Sequence, residues 1–575
     1  MFEIQVNDKT IKAKKGETIL DACKRTDIYI PTICYMEGLE PTGACRVCVV
    51  ELEGQDGLVT ACATPVEEGM EIQTHSQRAV RARKTNIELI LADHPDDCLY
   101  CVRNGDCELQ VLAEDLGVRQ RRYFGDKNEY DLDDSSPAIK RDPSKCILCG
   151  KCVRVCEEVQ TVSAIDFVNR GSETIVDTAY EEGLNLSNCV YCGQCVRVCP
   201  TGALREQSHI KEVKEAINNP DKMVVVQNAP SISVTIGEEF GLRKGKDVVG
   251  IMNGVLRRLG FDRVFPTSFS ADLTIMEEAA ELVERIENDG DLPLITSCSP
   301  GWIKFMEEYY PDFIDNVSTC RSPQQMMGAV IKSYFAEEEG IDPENIYSVA
   351  IMPCTAKKFE AERPEHTRGG NPDIDAVLTT REFARMIELA GLDLSDAEPE
   401  GHDTPFGERS SAGKIFGASG GVMEAAVRTA YNFITGEDLE DMDLESVRGL
   451  NGVKEAKIQI TEDLEIGVAV ASGLKNARKI LDQVKEGRDD IHFIEVMTCP
   501  GGCINGGGQP RGMDMEAVKS RMKALYNIDK TDKVRRSYEN NAIKRIYDEF
   551  LGEPLSEKSH ELLHTTYKKR EDVLL

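Results

Sequence analysis

The chain has 575 residues, and its 68 basic against 100 acidic residues leave a net charge of −32. That balance disfavours nucleic acid or an anionic membrane as the main partner, and no run of about 18 apolar residues marks a membrane span. The length predicts about three to five domains, and the N-terminus MFEIQVNDKTIKAKKGETIL has no apolar signal core, which predicts a soluble, cytoplasmic protein.

Cysteine usage is the strongest compositional signal. Of 21 cysteines, 16 lie before residue 200. Clustered CxxC spacings in a cytoplasmic chain point to metal binding rather than to disulfides.

In chain order, residues 1–78 read as mostly β. IQVNDKTIKA alternates, GETILDACKRTDI predicts a short helix, and VCVVELEG and LVTACATPV read as strands. Among them Cys34, Cys45, Cys48 and Cys62 form C-x10-C-x2-C-x13-C. Four thiolates suit zinc or an iron–sulfur cluster. The small residues between them resemble a 2Fe–2S ferredoxin-like domain, although the plant spacing C-x4-C-x2-C is not matched. Residues 79–120 carry apolar residues at helical spacing, and His94, Cys98, Cys101 and Cys107 form H-x3-C-x2-C-x5-C. Taken alone, this set suits a zinc knuckle at least as well, imidazole being the less common iron–sulfur ligand. Its place between two cluster domains points to a 4Fe–4S centre.

The acidic loop YFGDKNEYDLDDSSPAIKRDPSKC links to an internal repeat within 138–209, KCILCGKCVRVC against NCVYCGQCVRVCP. Both runs match C-x2-C-x2-C-x3-C, in which the fourth cysteine of each run ligates the other cluster. One cluster is therefore expected on Cys146, Cys149, Cys152 and Cys199, and the other on Cys189, Cys192, Cys195 and Cys156. Zinc carries no electrons and would leave a doubled redox module without purpose. Four clusters in series make a wire, and a wire implies a redox site at its end.

Residues 210–514 alternate short apolar runs (MVVVQNAP, LPLITSC, SVAIMPC, FIEVMTC) with amphipathic segments, a pattern of α/β lobes. Residues 515–575 are charged and helical. Five cysteines remain: Cys298, Cys320, Cys354, Cys499 and Cys503. Small residues around Cys499 and Cys503 let backbone approach a bulky inorganic group. Nucleotide readings of GGGQP and GASGGVMEAA are weak, since no GK[ST] follows the first and no clean strand precedes the second. Cys23 and Cys320 match no motif and read as buried structural thiols. TIMEEAAELVERI predicts a helix with Glu278, Glu281 and Arg285 on one face. By itself that is an ordinary solvated acidic face, as Met352, Met497 and Gln324 are by themselves ordinary core.

TSCSPGW (296–302), MPCTAKKFE (352–360) and FIEVMTCPGGCINGGGQP (493–510) closely resemble the three active-site signatures of the diiron (iron-only) hydrogenases. The resemblance covers essentially the whole chain. The four N-terminal clusters match the long clostridial type, and HELLHTTYKK resembles the family's small-subunit segment. The fold class it implies is multidomain α+β and α/β. A ferredoxin-like β-grasp 2Fe–2S domain (1–78) and a 4Fe–4S domain built on one histidine and three cysteines (79–120) come first. A two-cluster bacterial ferredoxin domain (138–209), a two-lobed α/β H-cluster domain (210–514) and a helical segment (515–575) follow.

The implied cofactors are one 2Fe–2S cluster, three 4Fe–4S clusters and an H-cluster, a cubane joined to a diiron unit carrying CO, cyanide and an azadithiolate. By motif position Cys354, Cys499 and Cys503 would ligate the cubane, with Cys503 bridging to the diiron unit. Lys357 would hold a cyanide, Met352 and Met497 would pack against the diiron unit, and Ser231 and Gln324 fall at pocket positions. The implied reaction is 2H⁺ + 2e⁻ ⇌ H2. Its protons would pass by Cys298, Glu278, Ser318 and Glu281, with Arg285 at the mouth. Implied partners are ferredoxin and the maturation proteins of the diiron unit. Flavin- and NADH-binding subunits join them if the chain is the catalytic part of an electron-bifurcating complex. A hydrogen sensor or a non-catalytic iron–sulfur protein is the alternative of a different class, and no sensory domain is visible.

One position departs. The family motif is usually TSCCPxW, whose second cysteine ligates the cubane, and here that position is Ser299. Three readings follow: Ser299 ligates as a harder alkoxide; Cys298 shifts to ligate; or the cubane has three protein ligands. Cys298 is favoured as the proton relay.

Overall fold

The computed structural model describes residues 1–288, 290–394, 397–439 and 443–570. It is a mixed α/β chain of several units. The first is a five-stranded sheet in the order Lys9–Ala13, Phe2–Val6, Glu71–Gln73, Val49–Leu52, Leu58–Thr60. The alternation in IQVNDKTIKA turns Ile4, Val6, Ile11 and Ala13 inward onto the helix Ile19–Arg25. Thr18 opens that helix with a capping box to Asp21. LVTACATPV departs from the expected strand. Only Leu58–Thr60 is extended, because the Ala63 and Thr64 amides bond back to Thr60 O and turn the chain at Cys62.

The expected helical stretch 79–120 is two helices, Gln77–Asp93 and Glu108–Asp115. Pro95 forces His94 into extended backbone (φ −72°, ψ 141°) and stops the first. The cysteine-bearing loop fills the gap. The repeat then supplies two short helices, Lys151–Arg154 and Gln194–Val198, each opening on a left-handed glycine, Gly150 and Gly193.

Two four-stranded sheets build the large C-terminal unit. One runs Arg263–Pro266, Met223–Asn228, Ile346–Met352, Ala376–Thr379, all parallel. The other runs Leu294–Ile295, Phe493–Met497, Glu465–Ser472, Val453–Gln459, with only the last pair antiparallel. Strands buried on both faces explain the continuous apolar runs in the sequence. The carboxyl ends of both sheets deliver the motif loops: Ala229–Ser231 after Asn228, Pro353–Cys354 after Met352, Thr498–Cys499 after Met497 and Thr296–Ser299 after Ile295. Crevices at such strand ends are where open α/β sheets bind ligands.

The segment after 514 is helical over Met515–Thr531, Asn541–Ile546 and Glu557–Leu563. Beyond Leu563 it is extended rather than helical. Cys320 bridges to His564, Thr565 N donates to Thr319 O at 2.7 Å, and Arg321 N donates to Leu563 O at 2.7 Å. Among the described residues no helix is long and apolar enough to cross a membrane.

Glycines bring the repeat against the large unit. A Cβ on Gly507 would lie 2.0 Å from Cys192 O, and one on Gly506 would lie 2.1 Å from Pro353 O. Gly507→Ala is therefore expected to force the two units apart and destabilise the protein by about 1–3 kcal/mol. Thermal unfolding followed by cluster absorption measures this, and an unchanged midpoint would show that the contact yields without cost.

Candidate active site

The cysteine sets follow one another through the fold. Cys34, Cys48 and Cys62 are buried and Cys45 is half-buried. Cys34 faces Cys45, and Cys48 faces Cys62. Arg154 reaches across from the repeat and donates to Cys34 O at 2.6 Å. In the second set, Cys107 Sγ lies 3.6 Å from Pro200 O, and a Cβ on Gly202 would come 2.9 Å from Cys101 Sγ. His94 Nδ1 is buried with no hydrogen-bond partner, as suits a ligand atom. Both N-terminal sets thus abut the repeat.

Within the repeat, Cys146, Cys149, Cys152 and Cys199 line one cavity, and Cys156, Cys189, Cys192 and Cys195 line the next. These are the two crossed sets that the spacing predicts. Cys192 also lines a third cavity, at the strand ends of the large unit. Side chains of each unit bond to backbone carbonyls of the other across that interface. Gln194 Nε2 and Arg197 Nη1 donate to Asn505 O at 3.0 and 2.8 Å, and Thr355 Oγ1 donates to Tyr191 O at 2.6 Å.

That third cavity gathers the residues of all three motifs: Cys298, Ser299, Cys354, Cys499, Cys503, Lys357, Met352 and Met497, together with Ser231 and Gln324. Burial pushes the Cys503 thiol up to about 12, with Cys499 adding to it and Lys357 opposing. Only a bound cation makes such sulfurs thiolates. Lys357 Nζ is held by both Glu360 oxygens (3.0 and 2.8 Å) and by Cys298 O (3.1 Å). Gln324 Nε2 donates to Lys357 O and Glu360, while its Oε1 is buried without a partner. Four thiols, one ammonium, two thioethers and an orphaned amide oxygen in an apolar wall fit an iron–sulfur group bearing anionic ligands.

Ser299 stands in the N-cap position of the helix Pro300–Tyr309, yet its side chain makes no capping bond. It turns instead to Thr498, whose Oγ1 is 2.7 Å away and whose N–H donates at 3.3 Å.

Residues 222–507 match the family described as "Iron only hydrogenase large subunit, C-terminal domain", and 515–570 match "Iron hydrogenase small subunit". Ahead of them lie a 2Fe-2S iron-sulfur cluster binding domain (1–77), an NADH-ubiquinone oxidoreductase-G iron-sulfur binding region (83–122) and a 4Fe-4S dicluster domain (145–203). The chain is 48 % identical over 583 aligned residues to the NADP-reducing hydrogenase subunit HndD of Solidesulfovibrio fructosivorans, covering 99 % of each. It is 44 % identical to iron hydrogenase 1 of Clostridium pasteurianum, over 99 % of this chain and 100 % of that one. This chain belongs to the iron-only (FeFe) hydrogenase family. Among solved structures, a variant of the [FeFe]-hydrogenase HydA1 from Chlamydomonas reinhardtii is 40 % identical with a TM-score of 0.57. It covers 63 % of this chain and 99 % of its own. The protein is accordingly a hydrogenase, an oxidoreductase with accessory iron–sulfur domains.

The acidic residues of this hydrogenase are not a solvated face. The helix Thr267–Glu287 is buried over most of its length, and Glu278 and Glu281 are 1 % and 5 % exposed. Burial pushes the Glu278 carboxyl up to about 8, with Glu281 adding to it and Ser318 opposing. Its Oε1 has no partner. Cys298, facing the cavity, is pushed well above the ordinary thiol value by burial and then by Glu278 and Cys503, so it carries its proton. Ser318 Oγ donates to Glu281 Oε2 at 2.9 Å, and Arg285 Nη2 donates to Glu281 Oε1 at 2.7 Å. Cys23 and Cys320 are fully buried.

The motif positions alone did not single out Glu360, which anchors Lys357, or Thr498, whose Oγ1 lies 2.7 Å from the Ser299 hydroxyl. Both stand inside quoted motifs, one turn after Lys357 and one residue before Cys499, and that proximity was the available signal. A glutamate with an ordinary value of 4.5 is ionised at neutral pH; one raised to about 8 is neutral there. An infrared carboxylic-acid band is therefore expected at about pH 7. It should vanish as pH rises past about 8 and be absent in Glu278→Gln. A wild-type spectrum without that band contradicts the neutral Glu278.

Proposed function

We propose that this hydrogenase seats its H-cluster in the cavity at the strand ends and serves it by two separate conduits, electrons through the repeat and protons through the helix Thr267–Glu287. The observation that carries this reading is one cavity in which Cys354, Cys499 and Cys503 meet Cys298, Lys357, Met352 and Met497, with Cys192 in its wall. When bound, the group supplies the redox-active iron at which H2 is formed or split. Cys354, Cys499 and Cys503 would hold it. Lys357, fixed by Glu360, presents its ammonium to an anionic ligand. Met352 and Met497 exclude water. Ser231 and Gln324 complete the polar wall. Cys298 hands protons to and from Glu278, and Glu281 receives them beside Ser318 and Arg285. The remaining cofactors are one 2Fe–2S cluster on Cys34, Cys45, Cys48 and Cys62, and three 4Fe–4S clusters on the His94 set and the two crossed sets.

Ser299 completes the cubane as an alkoxide ligand in this reading. Its hydroxyl is withheld from helix capping, accepts the Thr498 N–H and lies 2.7 Å from Thr498 Oγ1. Donors on an oxygen favour its charged form. In protein carrying only the cubane, Ser299→Ala is expected to lose one iron and show a three-iron paramagnetic signal. Ser299→Cys keeps four irons at a raised potential. An unchanged four-iron spectrum in Ser299→Ala removes Ser299 from the ligand set.

Ferredoxin is the electron partner we assign, in the cytoplasm, where thiols stay reduced. Leu99 and Tyr100, 83 % and 90 % exposed beside Cys98 and Cys101, offer a place for a carrier to dock. The relative named an NADP-reducing hydrogenase subunit favours a second reading, a catalytic subunit served by flavin- and nucleotide-binding partners. H2 turnover by the matured chain alone with reduced ferredoxin supports the first. Turnover that appears only with flavoprotein subunits and NAD(P)H supports the second. In either case Glu281→Gln is expected to lower turnover by roughly 10²-fold or more with cluster spectra intact, and undiminished turnover removes Glu281 from the path.

A further inference from the structure

The inference concerns how protons reach Glu281, and it rests on the proposed role of that residue. Arg285 covers Glu281 on the outside but relays nothing. A guanidinium does not give up its proton in proteins, and this one is tied to Asp291 O (2.9 Å), Asp315 O (2.9 Å), Val317 O (3.3 Å) and Glu281 Oε1. A different chain of groups leaves the other carboxylate oxygen. Thr319 Oγ1 lies 3.4 Å from Glu281 Oε2, slack of a kind that relay bonds show before substrate binds. The Thr319 N–H holds both Glu281 oxygens, at 3.2 and 3.1 Å. Thr319 Oγ1 is 2.7 Å from His564 Nδ1, and His564 Nε2 is 3.0 Å from Glu277 Oε2.

Glu277 is fully buried. Burial raises its carboxyl, but the His564, Ser559 and Tyr547 hydrogen bonds overcome this and hold it below the ordinary value. It is thus an ionised partner for an imidazolium. The other groups facing His564 are Cys320, Arg321, whose Nε donates to His564 O at 2.9 Å, and the exposed ring of His560, tilted by 42° with centroids 4.3 Å apart. Solvent is therefore one side chain away. Glu281, Cys320 and His564 also place donor atoms within 4.8 Å of one another, the spacing of a metal site. His564 Nδ1 and both Glu281 oxygens are already hydrogen-bonded, so the trio reads as a relay.

We infer that His564, in the C-terminal segment, is a second proton port of this hydrogenase, feeding Glu281 through Thr319 and bypassing Arg285. The imidazolium, its Nε2–H donated to the Glu277 carboxylate, gives its Nδ1 proton to Thr319 Oγ1. The threonine's own hydroxyl proton passes to Glu281 Oε2. Threonine ends as it began, one proton has moved from imidazole to carboxylate, and no electron moves.

The test is the pH dependence of H2 evolution by the loaded full-length enzyme carrying His564→Gln or Thr319→Val, with cluster absorption and thermal midpoint recorded alongside. Glutamine keeps a polar side chain but takes up no proton. Valine removes Oγ1 and leaves the backbone N–H on Glu281. Both are expected to lose roughly tenfold of the rate at the most affected pH, with the pH profile changed in shape and not merely scaled down. A wild-type profile in either variant, or an equal loss at every pH, overturns the port. If His564→Gln loses its cluster absorption, Thr319→Val decides alone. Glu281→Gln separates the two claims. If it evolves H2 at the wild-type rate, the Glu281 path itself fails. If it is slow while the other two behave as wild type, the path stands and only the port fails.

Discussion

The contact between Gly506–Gly508 and two neighbouring backbones is the constraint on which the rest depends. No side chain fits there. Cβ atoms on Gly506 and Gly507 would meet carbonyl oxygens at 2.1 and 2.0 Å, and one on Gly508 would crowd Pro353 and Cys354 from 2.9 Å. Three loops from two units therefore meet at close backbone approach: the turn after Cys503, the loop bearing Cys354 and the loop bearing Cys192. Cys192 thereby stands in the walls of both the second repeat cavity and the cavity at the strand ends, where the proposed wire would meet the proposed catalytic group. Asn505 O fixes the register by accepting from Gln194 and Arg197.

Proton handling obeys the opposite rule. Electrons need close, dry contact, whereas protons need polar groups in a chain, and burying those groups is costly unless each is bonded or neutral. The helix Thr267–Glu287 meets this in three ways. Glu278 stays neutral, Glu281 collects donors from Ser318, Thr319 and Arg285, and Glu277 is held by His564, Tyr547 and Ser559. The C-terminal strap matters to the proposed proton path as well, because its bridge at Cys320 and His564 places an imidazole one hydroxyl away from Glu281.

Much of this was legible in the sequence, unevenly. Ligand spacing in the repeat is local and periodic, so both crossed cysteine sets could be read directly, and the two structural cavities gather the same residues. The apolar runs gave the parallel strands, since strands covered on both faces carry no alternation to confuse. Residues 79–120 read as one helical stretch because periodicity does not register a proline-stopped loop. From its residues alone the acidic face at 278–285 reads as solvated, because burial of a charged face is decided by elements distant in sequence, and only the family resemblance reverses that reading. The same limit hid the Thr498 contact and the Thr319–His564 pair, the last separated by 245 positions, whereas Glu360 is local to Lys357, three residues away. Ser299 was visible as a departure, but its bond to Thr498, 199 positions away, was not.

The central claim is that the cavity bounded by Cys192, Cys354, Cys499 and Cys503 holds the diiron unit at the end of the wire. Infrared spectroscopy of the matured full-length protein tests it most directly. The account predicts CO and cyanide stretching bands in the wild type and their loss in Cys503→Ser, with accessory-cluster absorption retained. Absence of the bands in the wild type, or bands that survive unchanged in Cys503→Ser, would contradict it.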